Sequence, residues 1–535
     1  MRRITVAMGP CGASSRLEWV FKHLESALPV RFLKGEDGLA GADVHAAIRF
    51  QETERPLPAP CRPTLTYLCN PEEGGEPVSQ IVEFSSSSGL DPRLPGLALE
   101  EASLPPFLPL AAEGSEVLAS SGRTPVWVRS GANGAVHDTV SLPSLGGLTG
   151  PLLTENIQHR RFFFLLTLLH HLYTVLRDTG WTPPPLRAAF IIDDPNLKRM
   201  HYGPFRLEEI ASSARKHSYH MSIAASPLDL ASSSMRAVEF VRAHAQELSV
   251  CIHGNDHLRH EFGRPYTEEK ALFLLSQMLA RVEAFESRFG LGICRVVVPP
   301  HEHFSEQMLA LMQRFPLDAV TVSRPKPWED PRTWSRSIGE GDELLCWFPG
   351  DFAAGGMPIL RRSQMPQNIL FKSFLNQPVI MWYHAWDLTD GTGVLEETAS
   401  RVNALGNARW MSVGEIALTN YETMCEGETC IVRPWSRRVR VSLPPGCRGV
   451  QVELPPGADP MHTLCAIGDR IVAFGENGRT EAHPGAPGTP VTLQLRRSPW
   501  MESFGGVPLG APVGARLRRV LTEMADRLKL RPKRD

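Results

Sequence analysis

Between about residues 187 and 420, short β-rich runs alternate with amphipathic helical stretches, and no other feature limits the fold of this chain so strongly. The runs are Ala188–Ile192, His220–Ala225, Leu248–Ile252, Arg295–Val298, Ala319–Val322, Leu344–Phe348 and Val379–Tyr383, with Arg409–Val413 placed to close the series. Between them lie helix candidates at Leu207–His217, Met235–Glu247, Glu268–Phe289 and Glu306–Phe315. In the third, Leu272, Leu275, Met278, Leu279 and Val282 recur at a helical period and mark one buried face. Strand–helix alternation predicts a parallel sheet, and about seven units are enough to close it into a (β/α) barrel.

The flanks read differently. Residues 1–150 form an N-terminal α/β domain of unassigned role, with Ile4–Met8 and Val30–Leu33 as strands around a helix at Ser15–Ala27. Gly9-Pro10-Cys11-Gly12 follows the first strand but lacks a phosphate-loop fingerprint, so it reads as a plain turn. The proline-rich residues 55–63 and Ser85-Ser86-Ser87-Ser88 read as loops. Residues 151–186 are a connecting helix and a Pro-rich linker. Their apolar block, Phe162 to Val175, contains His170, His171 and Tyr173 and falls short of the roughly 20 residues a membrane span needs, so a buried helix is expected. Residues 421–535 show period-two alternation at Arg438–Leu443, Val450–Leu454, Arg470–Phe474 and Val491–Leu495, the pattern of a small antiparallel β domain, sandwich-like, with a terminal helix. That helix, Ala515–Leu530, puts Leu517, Leu521, Met524 and Leu528 on one face ahead of Arg531-Pro532-Lys533-Arg534. With Glu523 and Asp526 inside it, it reads as a docked helix with a solvated end in preference to a membrane or nucleic-acid tail.

Lys plus Arg number 56 and Asp plus Glu 58, a formal net charge of -2, which gives no global electrostatic reason for nucleic acid or an anionic membrane as main partner. No secretory leader is legible at the basic N-terminus. The ten cysteines form no Cys-x-x-Cys pair and read as free thiols, Cys425 and Cys430 included, so the expected compartment is the cytoplasm.

Chemistry concentrates at strand ends. The first barrel run stops at Asp193-Asp194-Pro195-Asn196, the third at His253-Gly254-Asn255-Asp256-His257, the fourth at Pro299-Pro300-His301-Glu302-His303 and the last at His384-Ala385-Trp386-Asp387. In parallel α/β architectures this edge is where loops converge on one mouth. His253 and His257, spaced i, i+4, share a face if the chain turns helical after the strand, and a carboxylate from Asp193 or Asp194 completes a two-His, one-carboxylate set for a divalent ion. Neighbours on an extended strand point to opposite sides, so one aspartate can bind metal while the other takes a proton from water.

The order Asp193-Asp194, His253-x-x-x-His257, Pro299-Pro300, Ile380-x-x-x-His384 resembles the polysaccharide deacetylase family (NodB homology, carbohydrate esterase family 4), over about residues 185 to 415. The resemblance implies a deacetylase-type barrel in which Asp193 is the catalytic base, Asp194, His253 and His257 hold a divalent ion, zinc in most members, and His384 is the general acid. The backbone N–H near His301 matches the donor that supports the oxyanion. Four departures mark a divergent member: Pro195 replaces a glycine, Gly254 a Ser or Thr, and Val298 the arginine that orients the base, while His301-Glu302-His303 replaces an aromatic–glycine pair.

The resulting expectation is a metal-dependent hydrolase that removes an acyl group, N-acetyl in the first instance, from an amino sugar or glycan precursor, acting on a carbon–nitrogen amide bond other than a peptide bond. Asp256, Glu302 and Asp387 are candidates for setting imidazole tautomers, and Trp382, Trp386 and Tyr202 for stacking on a sugar. Trp328 lies in a further strand-end loop, while His201, His260 and His303 are set aside as ligands. Two other readings stay open: a metal-dependent hydrolase of a non-sugar amide, and a catalytically degenerate barrel that binds carbohydrate or scaffolds other proteins. Substrate, metal and oligomeric state are not fixed by the sequence.

Overall fold

The structure, a computed structural model, describes residues 3–9, 17–34, 44–51, 62–69, 78–103, 107–132, 134–142, 162–324, 349–352, 356–364, 368–456, 458–497, 499–501, 504 and 506–527. The expected turn at residues 10–12, Trp328, the strand at Leu344–Phe348 and the basic residues after 527 lie outside the described residues. The chain divides into two units, Met1–Trp181 and Thr182–Asp535.

The first unit is built on a nine-stranded mixed sheet. Its first half is parallel: Ile4–Met8 pairs with both Val30–Lys34 and Ala46–Gln51, and Ala46–Gln51 pairs with Thr64–Cys69. Beyond Thr64–Cys69 a parallel pairing with Ala135–Leu142 leads into antiparallel strands. The apolar block becomes the helix Phe163–Leu176, buried on nearly every side because its sequence offers no polar face. The hydroxyl of Tyr67 donates to the Phe164 carbonyl at 3.0 Å and ties that helix to the sheet. No helix among the described residues is long and apolar enough to cross a membrane.

The second unit contains the barrel. Seven strands pair in parallel in a closed ring: Arg187–Asp193, Met221–Ala225, Leu248–His253, Cys294–Val298, Ala319–Val322, Pro358–Ser363 and Val379–His384. Six of the expected runs fall on barrel strands within a residue or two, and the expected helices at Leu207–His217 and Glu268–Phe289 form over those residues. The second of these is bounded by Thr267, whose hydroxyl accepts the Lys270 N–H, and by left-handed Gly290. The sixth described barrel strand, Pro358–Ser363, was not expected. Its two buried arginines disguise it. Closure also differs: the seventh strand pairs with the first from Ala188↔Val379 to Asp193↔His384, and only Arg409–Trp410 of the expected closing run pairs, with Arg187 and Ala188. The helix Val413–Leu418 contributes Val413, Ile416 and Ala417 to the same core as Ala189, Ile191, Leu360 and Ile380.

After the barrel, two small sheets share one core that includes Val432, Val439, Val441, Val452 and Leu493. The strands at Arg438–Ser442 and Gly449–Val452 belong to different sheets, joined through Pro444-Pro445-Gly446. One pairing, Thr429–Pro434 with Gly449–Val452, is parallel, against the antiparallel expectation. Cys425 and Cys430 face each other across a hairpin as free thiols.

Burial pushes the His170 and His171 imidazoles of the first unit down to about 4. The fold holds their neutral forms, so the unfolded chain binds protons first. Their contribution is complete above about pH 6.5 and drains away as pH falls toward 4. The first unit should therefore lose on the order of 3 kcal/mol per histidine over that window. Urea midpoints at pH 7, 5.5 and 4.5 measure the slope, and His170→Gln should flatten it.

Candidate metal centre

Side-chain parity decides what enters the barrel mouth. Alternate residues of a strand face the same side, and Ala189, Ile191, Cys251, Leu360 and Ile380 lie in the barrel core. Two residues on, the same rows continue as Asp193, His253 and Arg362, and four residues on from Ile380, past Trp382, as His384. Four strands thus deliver one carboxylate, two imidazoles and one guanidinium to the C-terminal edge, with Asp193 directly opposite His384 in register.

Asp194 would point outward by the same alternation. Instead it takes φ 83 and turns back over the mouth. The reversal that a glycine after the aspartate pair would ease is made by Asp194 itself, ahead of Pro195. His257 reaches the same place without the expected helical turn. His253 ends its strand, Gly254 reverses the chain at φ 69, and His257 is left-handed at φ 56. Asp194 and His257, together with His301 (φ 59) and Glu302 (φ 58), are non-glycine residues at positive φ and hold backbone strain of about 1–3 kcal/mol each around one site.

Three ligand atoms converge. Asp194 Oδ1 lies 2.7 Å from His257 Nε2 and 3.5 Å from His253 Nε2, and the two Nε2 atoms are 3.1 Å apart. Among the described residues, this is the one group of three or more His, Cys, Asp or Glu residues with metal-binding geometry. A tetrahedral ion with bonds of about 2.0–2.2 Å separates its ligands by roughly 3.3–3.6 Å, so the triangle fits with shifts of tenths of an ångström. His253 Nδ1 donates to the Val298 carbonyl at 3.1 Å, which leaves its Nε2 lone pair for an ion. Asp194 Oδ1 is buried with no completed hydrogen bond. Two nitrogens and one carboxylate oxygen, dry and aimed at a single point, suit a divalent cation. Burial works to raise the Asp194 carboxyl, but His257 and His253 outweigh it and hold it well below the usual carboxylate range.

Asp193 keeps out of this triangle because Arg362 holds it. Arg362 Nη1 donates to Asp193 Oδ1 and Nη2 lies against Oδ2, both at 2.9 Å. Nη2 also pairs with Glu302, whose other oxygen accepts the Ser323 N–H at 2.6 Å. Burial again pushes the Asp193 carboxyl up, and Arg362 and His253 bring it below its ordinary value. The Arg362 charge centre also sits 4.5 Å from the Trp382 ring. Val298 occupies the place where the family pattern has its arginine, and a guanidinium from the sixth strand stands against the aspartate instead. A Pro-Ile-Leu-Arg-Arg-Ser run, read as a strand whose alternation carries Arg362 inward in the row of Leu360, was the available signal.

His384 is sandwiched by tryptophans. Its ring stacks on Trp386 at 3.9 Å and meets Trp382 edge-on at 5.1 Å. Its backbone N–H donates to Asp387 Oδ2 at 2.7 Å. Exposure rises from the His253 side chain (4%) through His257 (12%) to His384 (23%), so the open side of the site is the His384 side. His301 is exposed, with its ring 6.2 Å from that of His257.

Three expected residues go elsewhere. Glu302, expected to set an imidazole, is taken by Arg362 and the Ser323 N–H. Asp256 pairs with Arg281 at 2.7 Å, and the imidazole it was expected to set is set by the Val298 carbonyl. Tyr202 is fully buried, so it has no open face for a sugar. Arg519, which no motif announces, reaches the site from the C-terminal helix: Nη2 donates to the Asp194 carbonyl at 2.8 Å while Nε holds Asp229 at 2.5 Å.

Fold and site together define a closed (β/α) barrel carrying a two-histidine, one-aspartate centre with a second, arginine-held aspartate beside it. No protein-family model and no curated protein sequence matches the chain. Solved structures of carbohydrate esterase family 4 polysaccharide deacetylases are among those it is similar to. One is a family 4 carbohydrate esterase from Streptomyces lividans in complex with acetate, 10% identical over 42% of this chain and 92% of that chain, with a TM-score of 0.26. The peptidoglycan deacetylase PdaC from Bacillus subtilis is 11% identical over 44% and 91%, with a TM-score of 0.24. A mutant of a family 4 pseudoenzyme with restored enzymatic activity is 13% identical over 44% and 69%, with a TM-score of 0.28.

A Cβ at Gly254 would lie 2.6 Å from Pro300 Cγ and 2.7 Å from Glu261 Oε2, at a φ that L residues resist. Gly254→Ser should therefore destabilise the protein by about 1–3 kcal/mol and loosen the His257 loop. Thermal unfolding with metal content checks both effects. Arg362→Met leaves Asp193 and Glu302 buried without their cation and should cost about 3–5 kcal/mol. Adding Glu302→Gln should recover part of that loss in the same melting assay.

Proposed function

We propose that this chain is a metal-dependent amide hydrolase that removes an N-acetyl group from an amino sugar or glycan precursor, with zinc as the ion. The observation that carries the reading is the pairing of two aspartates with different partners: Asp194 turned into the His253–His257 triangle, and Asp193 held out of it by Arg362.

Asp194, His253 and His257 would hold a divalent cation, which would supply Lewis acidity toward water and the amide carbonyl. The remaining work falls to the chain. Asp193 is ionised by its contact with Arg362 and accepts a proton from the attacking water, and the bidentate grip fixes where its oxygens point. His384, opposite Asp193 in register and on the open side of the site, gives a proton to the amine nitrogen as the carbon–nitrogen bond breaks. Trp386, stacked on His384, fixes the plane from which that proton leaves. The left-handed turn at His301 brings its backbone to the rim, where an N–H supports the oxyanion.

Metal-loaded protein should release acetate from N-acetylated oligosaccharides and lose that activity on chelation. Asp193→Asn should lower the rate by about 10²–10⁴-fold with the metal retained, whereas His253→Ala should lose metal and activity together. Acetate assays paired with elemental analysis read both variants. A metal-loaded protein inert toward every N-acetylated saccharide, or His253→Ala with full metal content, sinks the proposal.

A further inference from the structure

The C-terminal helix Val513–Arg527 is docked by its ionic face. Arg519 and Glu523 are buried, Arg519 on Asp229 and the Asp194 carbonyl, and Glu523 on Lys198 Nζ at 2.7 Å. The opposite face is apolar and open: Val513 is 83% exposed, Leu517 60%, Leu521 57%, Met524 53% and Val520 48%. Spacings of three and four residues set these side chains in one continuous stripe. An amphipathic helix ordinarily buries such a stripe, and here the protein turns it outward.

We propose that this stripe docks onto an anionic lipid bilayer, with the helix lying in the plane of the interface. The charge around the stripe selects that occupant. Arg516 and Arg518 are exposed on its flanks, and the sequence from 513 to 534 carries eight basic residues (Arg516, Arg518, Arg519, Arg527, Lys529, Arg531, Lys533, Arg534) against two acidic ones. Glu523 is spent inward on Lys198 and Arg519 on Asp229, which leaves seven basic residues against one acidic residue in that stretch. A chain with a formal net charge of -2 therefore concentrates positive charge in the same stretch of sequence as its apolar stripe, with Arg516 and Arg518 exposed on the helix itself. Basic flanks around Val, Leu and Met side chains suit the boundary between anionic headgroups and acyl chains. A second copy of the same basic helix would meet it with like charge. The same helix braces the Asp194 turn through Arg519, so a lipid-bound molecule presents its barrel at a fixed attitude to the surface.

Co-sedimentation of the full chain with phosphatidylcholine vesicles, with and without about one quarter phosphatidylglycerol, tests the proposal. Binding should be at least about tenfold tighter to the anionic vesicles and weaken as salt is raised. Leu517→Glu with Leu521→Glu should lose at least about tenfold of that binding, since it removes apolar insertion and adds negative charge. Metal content and melting temperature should be unchanged, because both side chains face solvent. Arg516→Gln with Arg518→Gln, which leaves the stripe intact, should weaken only the anionic component and keeps the test valid if the first variant folds poorly. Failure of the wild-type chain to pellet with anionic vesicles at low salt overturns the proposal, as does equal binding by the Leu517/Leu521 variant. A solution dimer that this variant abolishes, with no vesicle binding, overturns it in favour of a second copy.

Discussion

Two adjacent carboxylates, Asp193 and Asp194, are both buried at the end of one strand. Removing a carboxylate from water costs several kcal/mol unless an opposite charge meets it, so the fold around this strand is organised by where the two compensating charges come from. Asp193 shares Arg362 with Glu302, a trio that still carries one net negative charge. Asp194 faces the imidazoles of His257 and His253, with Arg519 Nη1 3.9 Å from its Oδ1. The backbone strain at Asp194, His257, His301 and Glu302 and the side-chain-free position at Gly254 keep those two environments apart by a few ångströms.

Arg362 shows that position in the barrel interior matters more than which strand supplies a group. The place after the third polar strand end where an arginine was missing holds Val298. The guanidinium arrives from the strand two further round the ring, in the same inward row, and its carboxylate counterpart Glu302 comes from the loop after Val298. One cation between two carboxylates results, and its bidentate grip orients the Asp193 carboxylate.

The last stretch of chain belongs to the site as much as to the β-sandwich it follows. Gln277 donates to the carbonyls of Pro508 and Gly510, and Arg281 to that of Leu509. Arg281 at the same time holds Asn255 and Asp256 in the loop that carries His257. Beyond it, Arg519 clamps the carbonyl of Asp194. Both metal-facing loops are thus braced from behind by residues 508–519 or by the side chains that clasp them. A helix recruited for its ionic face leaves its apolar one to solvent, which is the basis of the lipid proposal.

What could be read along the chain were features with short periods. Strand alternation, the inward row Ala189–Ile191–Asp193, the His253–His257 spacing and the strand-end position of His384 are set by neighbours two to four residues away, and the barrel and its mouth follow from them. The strand Pro358–Ser363 escaped because arginine inside a barrel contradicts composition, and it is tolerable only where two carboxylates wait. Tyr202 and Asp256 were misplaced because a polar or aromatic residue near a strand end carries no mark of its direction. The charge partners were beyond any local pattern: Arg362 stands 169 residues from Asp193, and Arg519 stands 325 from the Asp194 carbonyl it binds. Local pattern carried six of the seven barrel strands and the aspartates and histidines at their ends. Only tertiary structure decided which aspartate faces the imidazoles and which way the final helix turns, because both follow from pairing buried charges across distant segments, and Coulomb attraction reads distance in space.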